Sequence, residues 1–253
     1  MDNYRVVMAT DRGQVRPTNE DYAGSYIPPD SEIRERLGSL FIIADGIGGR
    51  NAGEVASAEA VASLQQEYYF GRYSNDPGKR LEQATARANF HVFDMSWAMA
   101  SASNMGCAMT ALLICRGRYY VSHVGDTELL LIRGGAVRKL TSDHATTGPR
   151  SFSASGIFNQ RAPRPQARSF LTRAIGMEMS VRPEILDGAA LPGDRFVLTT
   201  DGIRAHLNRE ELTAALLNGQ ELEAAVPEVL AECNRRGGQD NMTLMVVALT
   251  GAE

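Results

Sequence analysis

The sequence predicts an α+β fold: a four-layer αββα sandwich in which two packed antiparallel sheets are flanked by helix pairs. Three observations carry this expectation. Short apolar runs of strand length recur along the 253 residues, separated by Gly-containing turns. Two pairs of consecutive helical periodicities interrupt them, one in each half of the chain. The resulting order of strands, helix pair, strands, helix pair and strand lets each pair cover one sheet and bury every apolar face. No linker or internal repeat divides the sequence, so residues 1–253 are expected to form a single domain.

Residues 5–10 are mixed apolar and end at Asp11-Arg12-Gly13, which reads as a strand and turn. Leu40-Phe41-Ile42-Ile43-Ala44 is a buried strand that delivers Asp45 and Gly46 to its mouth. In 53–70, Ala58, Val61, Leu64 and Tyr68 recur at helical spacing; in 80–100, Leu81, Ala84, Ala88 and Val92 do the same. Asp76-Pro77-Gly78 separates the two helices. Residues 109–115, 118–124, 128–132 and 136–140 are spaced as an antiparallel meander. Residues 144–170, with three prolines and four arginines, read as a long loop. Strands over 181–186 and 195–200, helices over 210–217 and 222–233, and a buried strand over 242–249 complete the series.

A net charge of −4 gives no case for nucleic acid or an anionic membrane as partner. Cys107, Cys115 and Cys233 are odd in number and form no C-x-x-C, which fits buried thiols in a reducing compartment. The first residues lack the basic region and apolar core of a signal peptide, and no apolar stretch reaches the roughly 20 residues of a spanning helix. A cytoplasmic protein is expected. His91, His123, His144 and His206 have no zinc-type spacing and read as structural or surface residues.

Acidic residues stand at strand ends: Glu20-Asp21, Asp45-Gly46, Asp126 after Val124-Gly125, Asp201-Gly202 after Thr200, and Asp240 after Gly237-Gly238-Gln239. Each Asp-Gly alone reads as a turn, and Asp187-Gly188 is taken as one. Together they read differently. Carboxylates gathered without matching cations repel, and burying them unpaired costs several kcal/mol. Oxygen ligands with few His or Cys select Mg²⁺ or Mn²⁺.

At this point the sequence resembles the metal-dependent protein phosphatases of type 2C, in their bacterial single-domain form. The resemblance rests on an ordered series of motifs. Thr10-Asp11-Arg12-Gly13, Arg16 and Asn19-Glu20-Asp21 come first, followed by Ala44-Asp45-Gly46-Ile47-Gly48-Gly49 and Gly53-Glu54-Val55-Ala56-Ser57. Met105-Gly106, Val124-Gly125-Asp126, Leu140-Thr141-Ser142-Asp143-His144 and Leu171-Thr172-Arg173-Ala174-Ile175-Gly176 lie in the middle. Gly193-Asp194-Arg195, Thr200-Asp201-Gly202 and Gly238-Gln239-Asp240-Asn241 close it. The resemblance implies the same sandwich, and hydrolysis of protein phosphoserine and phosphothreonine by a metal-activated water at two Mn²⁺ or Mg²⁺ ions. It implies that Asp45 bridges both ions, that Asp201 and Asp240 hold one, and that Glu20 and the Gly46 carbonyl hold the other. Asp21 would orient water, Arg16 would bind phosphate, and Asp126 with Asp201 would hold a third, weaker ion. A phosphorylated protein partner, a Ser/Thr kinase or its targets, and a monomeric state are expected.

The sequence also departs from that pattern. Thr127-Glu128 replaces the usual Ser-Arg, so that Glu128 either alters the third site or faces solvent. Cys107 replaces a Thr. Ile47 stands where a Met or His is common, which leaves a water or another residue such as His144 as proton donor. The flap-like segment 144–170 is basic, with Arg150, Arg161, Arg164 and Arg168, which suits either a grip on an acidic or multiply phosphorylated segment or a solvated loop. A catalytically weak or inactive binding module on the same fold is the rival expectation.

Overall fold

The structure, a computed structural model, describes residues 3–48, 52–98, 105–148 and 168–251. In chain order the elements are β1 (Asn3–Asp11), β2 (Asp21–Tyr26), α1 (Ser31–Leu37), β3 (Ser39–Ile47), α2 (Ala52–Phe70) and α3 (Pro77–Ala98). There follow β4 (Gly106–Cys115), β5 (Arg118–Val124), β6 (Glu128–Arg133), β7 (Ala136–Lys139), β8 (Ala145–Gly148) and β9 (Arg168–Leu171). The last are β10 (Glu184–Ala189), β11 (Arg195–Thr199), α4 (Asp201–Arg204), α5 (Arg209–Leu217), α6 (Leu222–Arg235) and β12 (Met242–Thr250).

Two five-stranded antiparallel sheets form, in the orders β1-β12-β11-β6-β7 and β10-β5-β4-β3-β2. Strand periodicity explains the layers. In β3, Leu40, Ile42 and Ala44 face α2 and α3, whereas Phe41 and Ile43 face the other sheet. In β12, Leu244 and Val246 face the α5–α6 layer, while Met245 and Val247 meet Phe41, Leu112 and Phe196 between the sheets. Strands buried on both faces read as unbroken apolar runs, which is why these two were legible.

Five features differ from expectation. The run 109–140 is not one meander: β4 and β5 pair in one sheet and β6 and β7 in the other, so the chain changes sheets between Val124 and Glu128. Gly125 permits this with φ +110, at a point where a Cβ would run into the Ala108 side chain. Asp187-Gly188 is not a turn; it lies within β10, opposite Tyr120 and Tyr119. That strand starts at Glu184, because Pro183 has no N–H to give a ladder. The ends of the expected long loop pair as the ribbon β8–β9, and residues 149–167, with Arg150, Arg161 and Arg164, lie outside the described residues. β2, α1 and α4 were not anticipated: β2 is an edge strand with Gly24 inside it, and α1 and α4 span only two turns or fewer. Among the described residues no helix is long and apolar enough to cross a membrane.

Candidate active site

The strand ends that carry acids meet at one end of the sandwich. The β2–β3 register sets Asp21 directly opposite Asp45. In the facing sheet, β11 runs out at Thr199 and α4 begins at Asp201, while β12 starts immediately after Asp240-Asn241. Asp126 sits where the chain crosses between sheets.

These carboxyls act on one another's charge. The Asp45 carboxyl is pushed well above its ordinary range, first by burial and then by Asp21, Asp201, Asp126 and Asp240. Asp201 is raised by burial and Asp240, and a hydrogen bond with Asp45 opposes the rise. Burial and Asp201 raise Asp126. Glu20 is raised by burial, relieved by Arg16, and raised again by Asp240 and Glu54.

Asp21 is pushed up to about 7, mostly by burial, although hydroxyls of Thr243 and Thr200 counter it. Both donate to Asp21 Oδ2 at 2.8 Å. Because the Thr243 hydroxyl spends its proton on Asp21, Thr10 Oγ1 donates to Thr243 Oγ1 (2.8 Å) and accepts from Asn19 Nδ2 (2.8 Å). Each hydroxyl proton in this chain is used once, and Oδ2 is the Asp21 oxygen that it holds.

Glu20 is held by its backbone. Its N–H donates to Asn241 Oδ1 (2.8 Å), and its carbonyl accepts from Gly46 N–H (3.1 Å) and Ser57 Oγ (2.6 Å). The approach is too close for side chains. A Cβ on Gly46 would collide with carbonyl oxygens of Gly53 and Glu20, and one on Gly53 would press on the Glu20 carboxylate. Asn241 is a hub: its Nδ2 also donates to the Arg12 carbonyl (2.8 Å) and the Thr18 carbonyl (2.9 Å). Arg16, with its side chain 48% exposed, donates from Nη2 to Asp240 Oδ2 at 2.6 Å.

Of the residues expected from the sequence, Asp21, Asp45, Asp126, Asp201 and Asp240 act on one another's charge, Arg16 bonds Asp240, and the Gly46 N–H bonds the Glu20 carbonyl. All the donors are oxygens, and the carboxylates outnumber the nearby cations Arg16 and Arg204. That donor set fits hard divalent cations such as Mn²⁺ or Mg²⁺. Sequence reasoning assigned no role to Thr200, Thr243, Asn241 or Arg204. A threonine inside the apolar run of β12 was the available signal for Thr243, since a buried hydroxyl needs a partner.

His144 Nδ1 accepts from Gly125 N–H (3.2 Å), which leaves the ring proton on Nε2, and burial, then Arg173, lowers its pKa. His123, His144 and Glu184 do converge, with ligand atoms within 4.8 Å. His123, lowered to about 4 by burial, bonds Thr110 Oγ1 through Nδ1 and the Ser142 carbonyl through Nε2. A carbonyl requires a donor, so Nε2 carries the proton and Nδ1 accepts from Thr110; no lone pair is left for a metal. Cys107 is buried and its thiol is pushed far up by burial and Asp45, so it is no nucleophile. Glu128 does not face solvent. Its side chain is wholly buried and accepts from Arg209 Nε (2.9 Å) and Nη2 (2.7 Å), with Lys139 Nζ at 3.5 Å.

Residues 7–151 match the family profile described as protein phosphatase 2C. The chain is 26% identical to the serine/threonine phosphatase stp of Listeria monocytogenes over 241 residues, which cover 94% of this chain and 93% of that protein. It superposes on the Mycobacterium tuberculosis serine/threonine phosphatase PstP/Ppp with a TM-score of 0.79 and 28% identity, covering 98% and 99% of the two chains. A catalytic domain of PstP in complex with two manganese ions gives a TM-score of 0.76 at 26% identity, over 98% of this chain and 99% of that one.

Proposed function

The chain belongs to the protein phosphatase 2C family, and on that premise we propose that the acidic centre around Asp45 is where it hydrolyses phosphoserine and phosphothreonine in proteins. The observation that carries the reading is the crowding of Asp45 by Asp21, Asp126, Asp201 and Asp240. Such crowding of ionised carboxylates is costly without added positive charge. The activity is metal-dependent, with Mn²⁺ or Mg²⁺. Bound divalent ions supply a water-derived nucleophile near neutral pH and offset charge on the phosphoryl oxygens.

The protein's own groups do the rest. Asp45, Glu20, the Gly46 carbonyl, Asp201 and Asp240 would hold the two ions. Asp126 with Asp201 would hold a third, weaker ion. Asp21 has Oδ2 committed to Thr200 and Thr243, which leaves Oδ1 to orient the attacking water. Arg16, half exposed and bonded to Asp240, would bind the phosphoryl oxygens, whose geometry suits its planar fork. No covalent phosphoenzyme is needed.

Residues 1–253 act as one catalytic domain with 144–170 as its flap. The substrates are proteins marked by a Ser/Thr kinase, in bacterial cytoplasmic signalling, and the enzyme works as a monomer. Retention of the whole acidic set favours catalysis over an inactive module. Asp45→Ala and Asp201→Ala should each lower Mn²⁺-dependent hydrolysis of p-nitrophenyl phosphate by roughly two to three orders of magnitude, a loss of the size seen when catalytic electrostatics are removed. Circular dichroism should stay unchanged; full turnover by both variants would reject the reading.

A further inference from the structure

Thr10, Asn19 and Thr200 flank the acids of the centre in the sequence, and with Thr243 they converge on Asp21. Thr10 and Thr243 stand opposite each other where β1 pairs with β12. Thr200 follows β11; its N–H donates to the Thr243 carbonyl (3.1 Å), and its Oγ1 accepts from Thr243 N–H (3.0 Å). β1, β12 and β11 belong to one sheet, whereas Asp21 opens β2 in the other. The Asp21 side chain is thus the group that joins the two sheets at this end of the sandwich.

The hydrogen bonds run in one direction. Asp21 N–H donates to Asn19 Oδ1 (3.2 Å), Asn19 Nδ2 to Thr10 Oγ1 (2.8 Å), Thr10 Oγ1 to Thr243 Oγ1 (2.8 Å), and Thr243 Oγ1 to Asp21 Oδ2 (2.8 Å). The ring closes on the residue where it began. A second path, from Thr243 N–H through Thr200 Oγ1, ends on the same carboxylate oxygen at 2.8 Å. Bonds arranged head to tail polarise one another. Thr200 and Thr243 are wholly buried and Asp21 nearly so. Neither hydroxyl can turn to water, and reversing either one would leave a buried acceptor without its donor. The terminal torsion of an aspartate is broad when nothing holds it. Two donors converging on Oδ2 remove that freedom.

We infer that Thr200 and Thr243 are positioning residues for the reaction: they lock the Asp21 carboxylate in one rotation, and Thr10 with Asn19 keeps the Thr243 proton aimed at it. Their role rests on the reading of the centre in which Asp21 Oδ1 orients the attacking water. Residues that only tied the sheets together would affect melting and leave turnover by the folded enzyme alone.

Steady-state kinetics on p-nitrophenyl phosphate with saturating Mn²⁺, well below the melting temperature, separate the two roles. Thr243→Val keeps the shape of the side chain and removes its proton. It should lower kcat roughly ten- to hundredfold, the scale of a misplaced reacting group, with KM within about twofold of wild type. Thr243→Ser restores a hydroxyl and should recover most of the loss. In Asp21→Ala, adding Thr243→Val should change kcat by less than about twofold, because residues acting through one group are not additive. The metal-free protein gives a readout without turnover. There Thr243→Val should lower the melting temperature by roughly 4 °C or more in the wild-type background, where it strips a donor from a buried carboxylate. In Asp21→Ala it should leave the melting temperature unchanged or raise it, because the hydroxyl there has already lost its acceptor. Wild-type kcat in Thr243→Val overturns the inference. So does a serine variant as slow as valine, or a loss of equal size in the presence and absence of the Asp21 carboxylate. If Thr243→Val does not fold, Thr200→Val and Thr200→Ser decide by the same comparisons. A wild type without Mn²⁺-dependent hydrolysis would instead bring down the reading of the centre, and the roles of these threonines with it.

Discussion

Asp45 pairs with Asp21 across two strands and lies within reach of Asp126, Asp201 and Asp240. Its charge therefore opposes folding whenever no divalent ion is present. Asp45→Asn should raise the metal-free melting temperature at pH 8, by roughly 2–4 °C for each kcal/mol of repulsion removed. The same variant should lose most of the stabilisation that Mn²⁺ gives wild type. Differential scanning fluorimetry with and without Mn²⁺ checks both. A fall in the metal-free melting temperature would mean that Asp45 is held by partners and not crowded by rivals. At this scale Asp45, Asp126 and Asp201 were legible because each follows a run of strand pattern, and Asp240 because it precedes one. The groups that hold them were not: Thr200 and Thr243 look like any other strand threonines until Asp21 is placed beside them.

Elements matter where they cross. The segment between Val124 and Glu128 carries the chain from one sheet to the other, and Glu128 anchors its far end against α5 through Arg209. Glu128 has one buried oxygen without a partner, so the pair is held by geometry more than by complete satisfaction. Arg209→Met alone should cost about 3–5 kcal/mol in urea unfolding, because it strips the main partner from a buried carboxylate. The double variant Arg209→Met with Glu128→Met should recover most of that loss, since an apolar pair of similar volume often matches a buried ion pair. No recovery would place the cost in packing. The sequence showed that Glu128 was unusual after Gly125-Asp126 but left its direction open. A single strand residue points in or out according to register, and register here depends on the change of sheet.

For the molecule as a whole, the acidic centre links stability to pH. Asp21 is raised from 3.8 to about 7 in the folded protein, and Asp45, Asp126, Asp201 and Glu20 are raised with it. A carboxyl raised on folding contributes stability that is complete below its unfolded pKa and is lost as pH rises through the folded one. The metal-free protein should therefore lose stability between about pH 4 and pH 7, and its melting temperature at pH 8 should lie below that at pH 5. Mn²⁺ should reverse the order, because ions bind the deprotonated ligands and so stabilise most at higher pH. A melting temperature of the metal-free protein that climbs from pH 5 to pH 8 would contradict the crowding.

The layers of the sandwich and the acids at its strand ends were determined by the sequence alone, since both depend on local periodicity: alternation in strands, helical spacing in α2, α3, α5 and α6, and Asp-Gly where strands stop. Weak or short elements escaped it, as β2, α1 and α4 carry too little periodic signal to stand out. Only the tertiary structure decided how the acids are held, which oxygen of Asp21 is free to act, that Glu128 turns inward to Arg209, and that Arg204 ties the Asp126 carbonyl to Asp143. These facts depend on contacts between residues far apart in the chain, and no local pattern encodes which distant partner a buried polar group will meet.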